Sequence, residues 1–305
     1  MNKVFVLPPN EDWIIDRLVS EWYEFNSDIS TKNVNEADVI WLLADFCWQR
    51  LSHILRDKKV ITTIHHIVPS KFNAAERFEF QLRDDVTTVY HVPNKHTLEF
   101  IKPLTKKPIV QVCYWANQHI WKKTGEKEEL RKKYGLPNDS YLVGSFQRDT
   151  EAAGIPQGQY LPKLEKGADL LVGAIISWHD KCKNYFPVEV VLGGWRRQYV
   201  MKRLDSVGIK YHYFEKPSQE IINDLYQTLD LYPVTARQEG GPQSLIECGL
   251  LSVPVVSRSV GIAELVLPEI SIDDDVTTAV PTVPNVKDHE LPHGFEPYRA
   301  LIKSL

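Results

Sequence analysis

Short apolar runs alternate along this chain with stretches in which apolar residues return every three or four positions. KVFVLP (3–8), ADVIWLLA (37–44), KVITTIHHI (59–67), TTVYHVP (87–93) and PIVQVCYW (108–115) read as strands, and EDWIIDRLVSEWYEF (11–25) and WQRLSHILRD (48–57) as amphipathic helices. A second series repeats the pattern. Its strands are SYLVGSF (140–146), VEVVLGG (188–194), IKYHYF (209–214), LDLYPVTA (229–236) and VPVVSRS (253–259). Between them lie the helix-like KGADLLVGAIISWHDK (166–181), WRRQYVMKRLDSVG (195–208) and QEIINDLYQT (219–228). Such alternation predicts mostly parallel sheets covered by helices. Two α/β domains are expected, each Rossmann-like and doubly wound, with ligands at the carboxyl ends of the strands, facing a central cleft.

The charged, turn-rich WKKTGEKEELRKKYGLPNDS (121–140) reads as the connection, its KEELRKKYG ending on a glycine in the position that closes helices. The expected domains are therefore 1–120 and 121–290. The tail 291–305, through EPYRALIKSL, is expected to form a final helix that packs back on the first domain. AVPTVPNV (279–286) reads as an extended surface crossing, and no internal repeat is evident.

Composition narrows this little. With 305 residues, 43% apolar, 25% charged and a formal net charge of −4, the chain has the make-up of a soluble globular protein with no pull toward nucleic acid. Cys47, Cys113, Cys182 and Cys248 are scattered without the short pairings of a zinc ribbon or a disulfide framework, which points to a reducing, cytoplasmic setting. MNKVFVLPPN reads as a strand and not as the apolar centre of a signal peptide, so membrane contact is expected to be peripheral at most.

The densest chemistry lies in RQEGGPQSLIECG (237–249). Proline is favoured at the first position of a helix, so a helix starting at Pro242 would have Gly241 as its N-cap and would leave the N–H groups of Gln243 and Ser244 without intrahelical partners. Those groups and the positive end of the helix dipole suit an anion, and Gly240 and Gly241 remove side chains that would hold a phosphate away. Glu247 lies inside the helix, and helical side chains lean toward the N-terminus, so its carboxylate can reach a vicinal diol such as a ribose. Glu239, ahead of the helix, would face whatever is attached to the phosphate. Taken alone, two glutamates at this spacing are ordinary on a solvated helix, and Gly-Gly-Pro is a turn signal.

The neighbouring segments change that balance. From about Tyr134 to Leu267 the chain resembles the retaining nucleotide-sugar glycosyltransferases of the GT-B fold, in particular glycosyltransferase family 4, whose hallmark is a glutamate, a glycine-rich turn and a second glutamate, as in EGGPQSLIE (239–247). GSFQRD (144–149), EKGADLL (165–171) and SVPVVSRSVGIAEL (252–265) agree with the same family. The resemblance implies transfer of a sugar from a nucleoside diphosphate sugar, used as co-substrate with no other cofactor and no metal, to a hydroxyl acceptor that is a carbohydrate or glycoconjugate. It implies that Arg148 and Lys166 form the basic pair on the donor diphosphate, that Glu239 positions the sugar, and that His65, at the end of a strand, contacts the sugar's far hydroxyl. Fixed cations are what such chemistry needs, because breaking the sugar–phosphate bond leaves negative charge on the diphosphate.

Two departures stand out. DTEAAGIPQGQYLPKLE (149–165) separates the two basic residues, which makes Lys163 a rival for Lys166, and His66 stands where the family often has an aspartate. In the first domain Trp13, Trp22, Trp41 and Trp48 could stack on a sugar, but their helix and strand positions favour core packing. Other readings compete. Asp273 and Asp275 in EISIDDDV suit a divalent ion bridging phosphates in a metal-dependent glycosyltransferase. An epimerase or hydrolase, or a non-catalytic protein that only binds a nucleotide sugar, would need part of the same set. A dehydrogenase is disfavoured, since no G-x-G-x-x-G follows the first strand.

Overall fold

The computed structural model describes residues 2–11, 14–151 and 159–305; Trp13 and residues 152–158 of the insertion lie outside the described residues. The chain divides into two compact units, Met1–Trp115 with Leu291–Leu305, and Ala116–Glu290.

In the first unit, strands β1 (Val4–Val6), β2 (Val39–Leu42), β3 (Lys59–Thr63), β4 (Val89–Val92) and β5 (Ile109–Gln111) form one parallel sheet in that order. Helices α1 (Ile14–Phe25), α2 (Ala74–Asp84) and α3 (Lys95–Ile101) lie in the connections, as parallel strands require. Val4 also bridges Ser30 on the outer side of β1. The chain thus crosses to one side of β1 before returning to the other, and the reversal of a doubly wound sheet survives here as a single bridge.

Residues 48–57, expected as a helix, instead fall into two 3-10 turns, Asp45–Leu51 and Leu55–Asp57; Ala44 and Ile54, which precede them, provide no side-chain cap. Helices α2 and α3 were not marked by the apolar pattern, because α2 buries little beyond Phe80 and Arg83. Their starts are set by capping. Asn73 Oδ1 accepts from the N–H groups of Ala75 and Glu76, and Asn94 Oδ1 from that of Thr97.

Trp22 and Trp41 are core residues, edge to face at 5.1 Å. The C-terminal helix Glu296–Ser304 belongs to this unit, with Tyr298 against Trp41 at 5.3 Å and, just before it, Phe295 against Trp115 at 4.7 Å. A polar chain crosses the same core: Trp41 Nε1 donates to Thr63 Oγ1 at 2.8 Å, Thr63 Oγ1 lies 2.9 Å from His91 Nδ1, and His91 Nε2 donates to Val112 O at 3.0 Å. The indole and the carbonyl fix the directions, so Thr63 donates to Nδ1 and the imidazole is neutral with its hydrogen on Nε2.

The second unit holds β6 (Tyr141–Ser145), β7 (Val188–Gly194), β8 (Tyr211–Glu215), β9 (Tyr232–Val234) and β10 (Val255–Ser257). They are connected by α4 (Lys127–Lys133) ahead of β6, α5 (Ala168–Cys182), α6 (Gln198–Asp205), α7 (Gln219–Gln227) and α8 (Gln243–Leu250). Gly135, in the left-handed conformation at φ +66°, closes α4 where the sequence placed a glycine stop. Strands β6, β7 and β8 are parallel neighbours, β9 pairs with β10, and Val143 in β6 bridges Leu231 just before β9. The spatial order is therefore β8-β7-β6-β9-β10, which runs outward one way from β6 and then the other. That is the doubly wound arrangement, with its switch point between the carboxyl ends of β6 and β9. Asp230 fixes the junction: its carboxylate accepts from Leu142 N at 2.8 Å and pairs with Arg131 at 2.6 Å and Lys127 at 3.0 Å. The segment read as a surface crossing touches the far edge, where Thr282 bridges Val255 in antiparallel fashion. Among the described residues no helix is long and apolar enough to cross a membrane.

His91 gives the first unit a defined pH response. Burial lowers its pKa to about 4 from the ordinary 6.5, so the unfolded chain takes up a proton that the folded state refuses. Stability present above about pH 6.5 should therefore be lost as pH falls toward 4, by about 3 kcal/mol in total. Chemical denaturation at a series of pH values measures the loss, and NMR titration of the His91 ring should show no protonation above pH 5; a ring that titrates near 6.5 would overturn the assignment.

Candidate functional site

The carboxyl end of β6 runs directly into Gln147 and Arg148, and that of β9 into Arg237, Gln238 and Glu239, so the switch point brings these two segments side by side. Between them sits the 3-10 turn Leu164–Lys166. It is held from both sides: Gln147 Nε2 donates to Lys166 O at 3.0 Å, and the N–H groups of Arg237 and Gln238 donate to Glu165 O at 2.8 and 3.1 Å. Arg237 adds a donor to Leu164 O at 2.9 Å and a two-pronged pair with Asp169 at 2.7 Å on each prong. The Arg237 guanidinium, hydrogen-bonded to Asp169, holds that carboxyl below its usual range.

Gly167 ends the turn in the left-handed region at φ +64°, and a Cβ there would lie 1.9 Å from Thr235 O. Only a glycine allows the start of α5 to lie this close to the end of β9. The consequence is chemical. Lys166 Nζ donates directly to Glu239 Oε1, with side-chain exposures of 23% and 15%. Lys163, the rival cation, instead pairs with Glu165 at 3.0 Å.

The insertion between Arg148 and Lys166 is zipped at its neck. Glu151 N donates to Leu161 O, Lys163 N to Asp149 O at 2.7 Å, and Thr150 bridges Pro162. The chain therefore returns to the point it left, and seventeen intervening residues do not separate the two basic segments. Arg148 is exposed and makes no hydrogen bond or ion pair among the described residues.

The helix after Glu239 begins one residue later than expected. Pro242 is its N-cap, at φ −55° and ψ 108°, and Gln243 is its first residue, so Gly241 is not the cap. Proline fixes φ but not ψ, and the extended ψ of Pro242 keeps it outside the helix. Gly241, Gln243 and Ser244 are half-buried, while Gly240 and Pro242 are buried. Gly261, at φ +56°, backs the turn: a Cβ on it would lie 2.7 Å from Pro242 Cδ and 3.2 Å from both Gly240 O and Gly241 Cα. One turn into α8, Glu247 is buried and accepts from the Tyr226 hydroxyl at 2.7 Å. Burial and the adjacent Glu247 carboxylate push the Tyr226 phenol well above its ordinary pKa, so it remains the donor.

Two groups escaped the sequence reading. One is Tyr226, which orients Glu247. The other is Arg197, fully buried: its Nε pairs with Asp149, Nη1 donates to Ser145 O and, at 2.7 Å, to Gly193 O, and Nη2 donates to Ser145 Oγ at 2.9 Å. WRRQYV offered no sign of it beyond two adjacent arginines, only one of which is buried.

His65 lies in the first unit, just past β3, and both its ring nitrogens are engaged. Nε2 donates to Leu43 O at 2.8 Å, and Nδ1 accepts from the Tyr114 hydroxyl. The acids of IDDDV are bound up in a turn. Asp273 accepts from Asp275 N at 2.8 Å, Asp275 from Thr277 N at 3.0 Å and its hydroxyl at 2.8 Å, and Asp274 pairs with Arg258 at 2.6 Å. Among the described residues no group of three His, Cys, Asp or Glu side chains is placed to hold a metal ion.

No family model matches the chain, and no curated protein matches its sequence. Many solved structures match its shape. HepE from Anabaena, determined with UDP and glucose, superimposes with a TM-score of 0.69 at 12% identity, over 88% of this chain and 84% of that one. A UDP-forming α,α-trehalose-phosphate synthase from Burkholderia xenovorans gives 0.60 at 11% identity, over 93% and 78%. Sucrose-phosphate synthase from Thermosynechococcus elongatus gives 0.58 at 13% identity, over 87% and 66%. The chain has the α/β architecture of these GT-B structures.

The glycine contacts yield a paired test. Gly167→Ala should destabilise by roughly 3 kcal/mol or more, since it adds left-handed strain to a clash with backbone. Gly173→Ala, in an exposed turn of α5 with nothing within 4 Å of the added carbon, should stabilise by about 0.5–1 kcal/mol. Thermal or urea unfolding of the two variants decides; equal effects would mean that Gly167 does not approach Thr235 this closely.

Proposed function

We propose that this protein is a retaining glycosyltransferase that moves a sugar from a nucleoside diphosphate sugar to a hydroxyl of a carbohydrate or glycoconjugate, without a metal ion. The observation that carries the reading is the Lys166–Glu239 pair beside the Gly-Gly-Pro turn at the switch point of a doubly wound sheet. That is where such sheets bind ligands, and it sets a cation, a carboxylate and helix-end amides within one small region. The solved relatives that hold UDP or UDP-glucose support the donor class and make uridine diphosphate the first nucleotide to try.

In this mechanism Lys166 and Arg148 take up the charge that develops on the departing diphosphate, aided by the N–H groups of Gly241, Gln243 and Ser244. Glu239 accepts from the hydroxyls of the sugar, and Glu247, held by the Tyr226 hydroxyl, accepts from the ribose. His65 reaches the far hydroxyl by exchanging the Tyr114 hydroxyl for it. The diphosphate itself removes the acceptor proton, so attack and departure share one face of the sugar and its configuration is kept. A non-catalytic binding protein would not need a cation aimed at a leaving group.

UDP at 100 times its Kd should add about 2.7 kcal/mol to the folded state, read as a shift in the unfolding midpoint. Lys166→Ala should weaken that binding at least tenfold. Glu239→Gln should keep the shift yet lower transfer about a hundredfold or more, as expected for a group that acts on the reacting sugar. Transfer should survive EDTA. No shift with any nucleoside diphosphate would end the reading, and loss of transfer in EDTA would move it to a metal-dependent enzyme.

A further inference from the structure

The far edge of the second sheet carries an apolar surface that the donor chemistry does not use. Beyond β10 the chain runs through the short helix Ala263–Val266, the 3-10 turn Glu269–Ser271 and the acids of IDDDV, then returns along the same edge. Backbone hydrogen bonds tie the two passes together. Asn285 N donates to Val266 O and Val280 N to Ile270 O, each at 2.8 Å, and Thr282 N donates to Val255 O at 3.0 Å. Four aliphatic side chains on these passes stay in solvent: Ile270 is 63% exposed and Val280 49%, and Leu265 and Val283 are exposed as well. Scattered single aliphatics are ordinary on a surface, but four on segments bonded to one another form a shelf.

An exposed aromatic pair adjoins it. The end of α5 leads into KNYF (183–186), where Tyr185 is 82% exposed and Phe186 is exposed beside it. Both groups stand on one base: Phe186 packs on Tyr141 at 5.9 Å, and Tyr141 and Trp178 pack against the buried cluster that also seats Val276 and Ala279. Charge divides along the same line. Residues 264–283 hold five acids and no lysine or arginine, with Arg258 reaching in to Asp274. The aromatic side presents Lys181 and Lys183 against Asp180. Where the two sides meet, the Thr277 hydroxyl and N–H, and after them the Lys181 ammonium, hold the Asp275 carboxyl below its usual range.

A surface with an acidic aliphatic half and a basic aromatic half is its own complement. Under a two-fold rotation each half of one copy meets the opposite half of the other, and every contact is made twice. An anionic membrane or a nucleic acid would be repelled by the acids, and a basic peptide would leave the lysines and Tyr185 unmatched. A stable interface takes roughly 20–30 residues a side, and the exposed and half-buried positions of 180–187 and 264–283 supply that many. We infer that a second copy of this chain covers this face in an isologous dimer, with Tyr185 and Phe186 of each copy on Ile270 and Val280 of the other, and Lys181 and Lys183 facing Glu269 and Asp274.

The dimer does not depend on the sugar chemistry, and its test needs no activity. Sedimentation velocity of the full chain into the tens of micromolar should show a dimer that weakens as salt is raised. Tyr185→Ser should weaken it at least tenfold. Two charge reversals, Lys181→Glu with Lys183→Glu and Glu269→Lys with Asp274→Lys, should each weaken it at least tenfold, whereas an equimolar mixture of the two should dimerise again, because each reversed half then meets its opposite. Lys95→Glu with Lys102→Glu, an equal reversal on exposed positions of the first unit, should dimerise as the parent does. All these variants should keep the unfolding midpoint of the dilute parent chain. A parent chain that stays monomeric over this range, or reversed variants that dimerise as it does, would overturn the inference. So would a mixture that stays monomeric while the midpoints are unchanged, and parent species larger than a dimer would replace the two-fold contact with an open head-to-tail one.

Discussion

The candidate site depends on one buried ion pair, Arg197 with Asp149, neither of which is reached by solvent. The guanidinium spends its donors on the carboxyl ends of two neighbouring strands and on the first residue of the long insertion, so β6, β7 and the loop leave the sheet in a fixed relation. Burial raises the pKa of Asp149 by more than Arg197 lowers it. A pair that is not fully compensated for its desolvation is a weak source of stability, and its effect is better sought in geometry. Here that geometry is specific: Asp149 follows Arg148 directly, and its own carbonyl receives the N–H of Lys163 where the loop comes back.

A second constraint is the close approach of backbones that glycine permits. Gly167 sets α5 against the end of β9, Gly144 in β6 leaves room for Leu229, where a Cβ would lie 2.1 Å from Leu229 Cδ1, and Gly261 seats the turn at Pro242. Each of these positions closes a gap between segments that are distant in sequence. Two of them, at Gly167 and Gly261, act on the segments that carry Lys166 and the turn after Glu239, so the position of a charge is set partly by the absence of side chains beside it.

What the sequence disclosed follows from the range of each interaction. Among the described residues nine of the ten strands fall within the apolar runs and β8 overruns its run by one residue, because the strands buried on both faces of a parallel sheet leave a local signature. EGGPQSLIE was legible for the same reason: its glycines, proline and glutamates act within one turn and one helix. The 3-10 turns at 45–57 were not, since WQRLSHILRD keeps an apolar spacing close to helical and differs only in lacking a cap. Arg197 was invisible because its side-chain partners Asp149 and Ser145 lie 48 and 52 residues away. The tryptophans divide on the same principle. Trp22 and Trp41 pack in the core as their periodicity suggested, whereas Trp48, expected to pack from a helix, stands on a 3-10 turn, is only half-buried and lines a cavity.

The proposed chemistry also accounts for the pairing of Lys166 with Glu239. A cation kept ready for a diphosphate would, if unpartnered and three-quarters buried, carry a desolvation cost; Glu239 offsets it. A bare diphosphate that claimed Lys166 would leave the Glu239 carboxylate next to added negative charge, which is unfavourable at short range in a site partly shielded from water. A sugar on the diphosphate changes the balance, because its hydroxyls donate to Glu239 while the phosphate oxygens accept from Lys166. One ion pair is then replaced by two charge-assisted interactions of the right polarity, and only a ligand that carries both groups in sequence can supply them. On this reading the pair acts as a selectivity device: it admits the intact donor more readily than the leaving group alone, which is also the difference in affinity that lets a product depart.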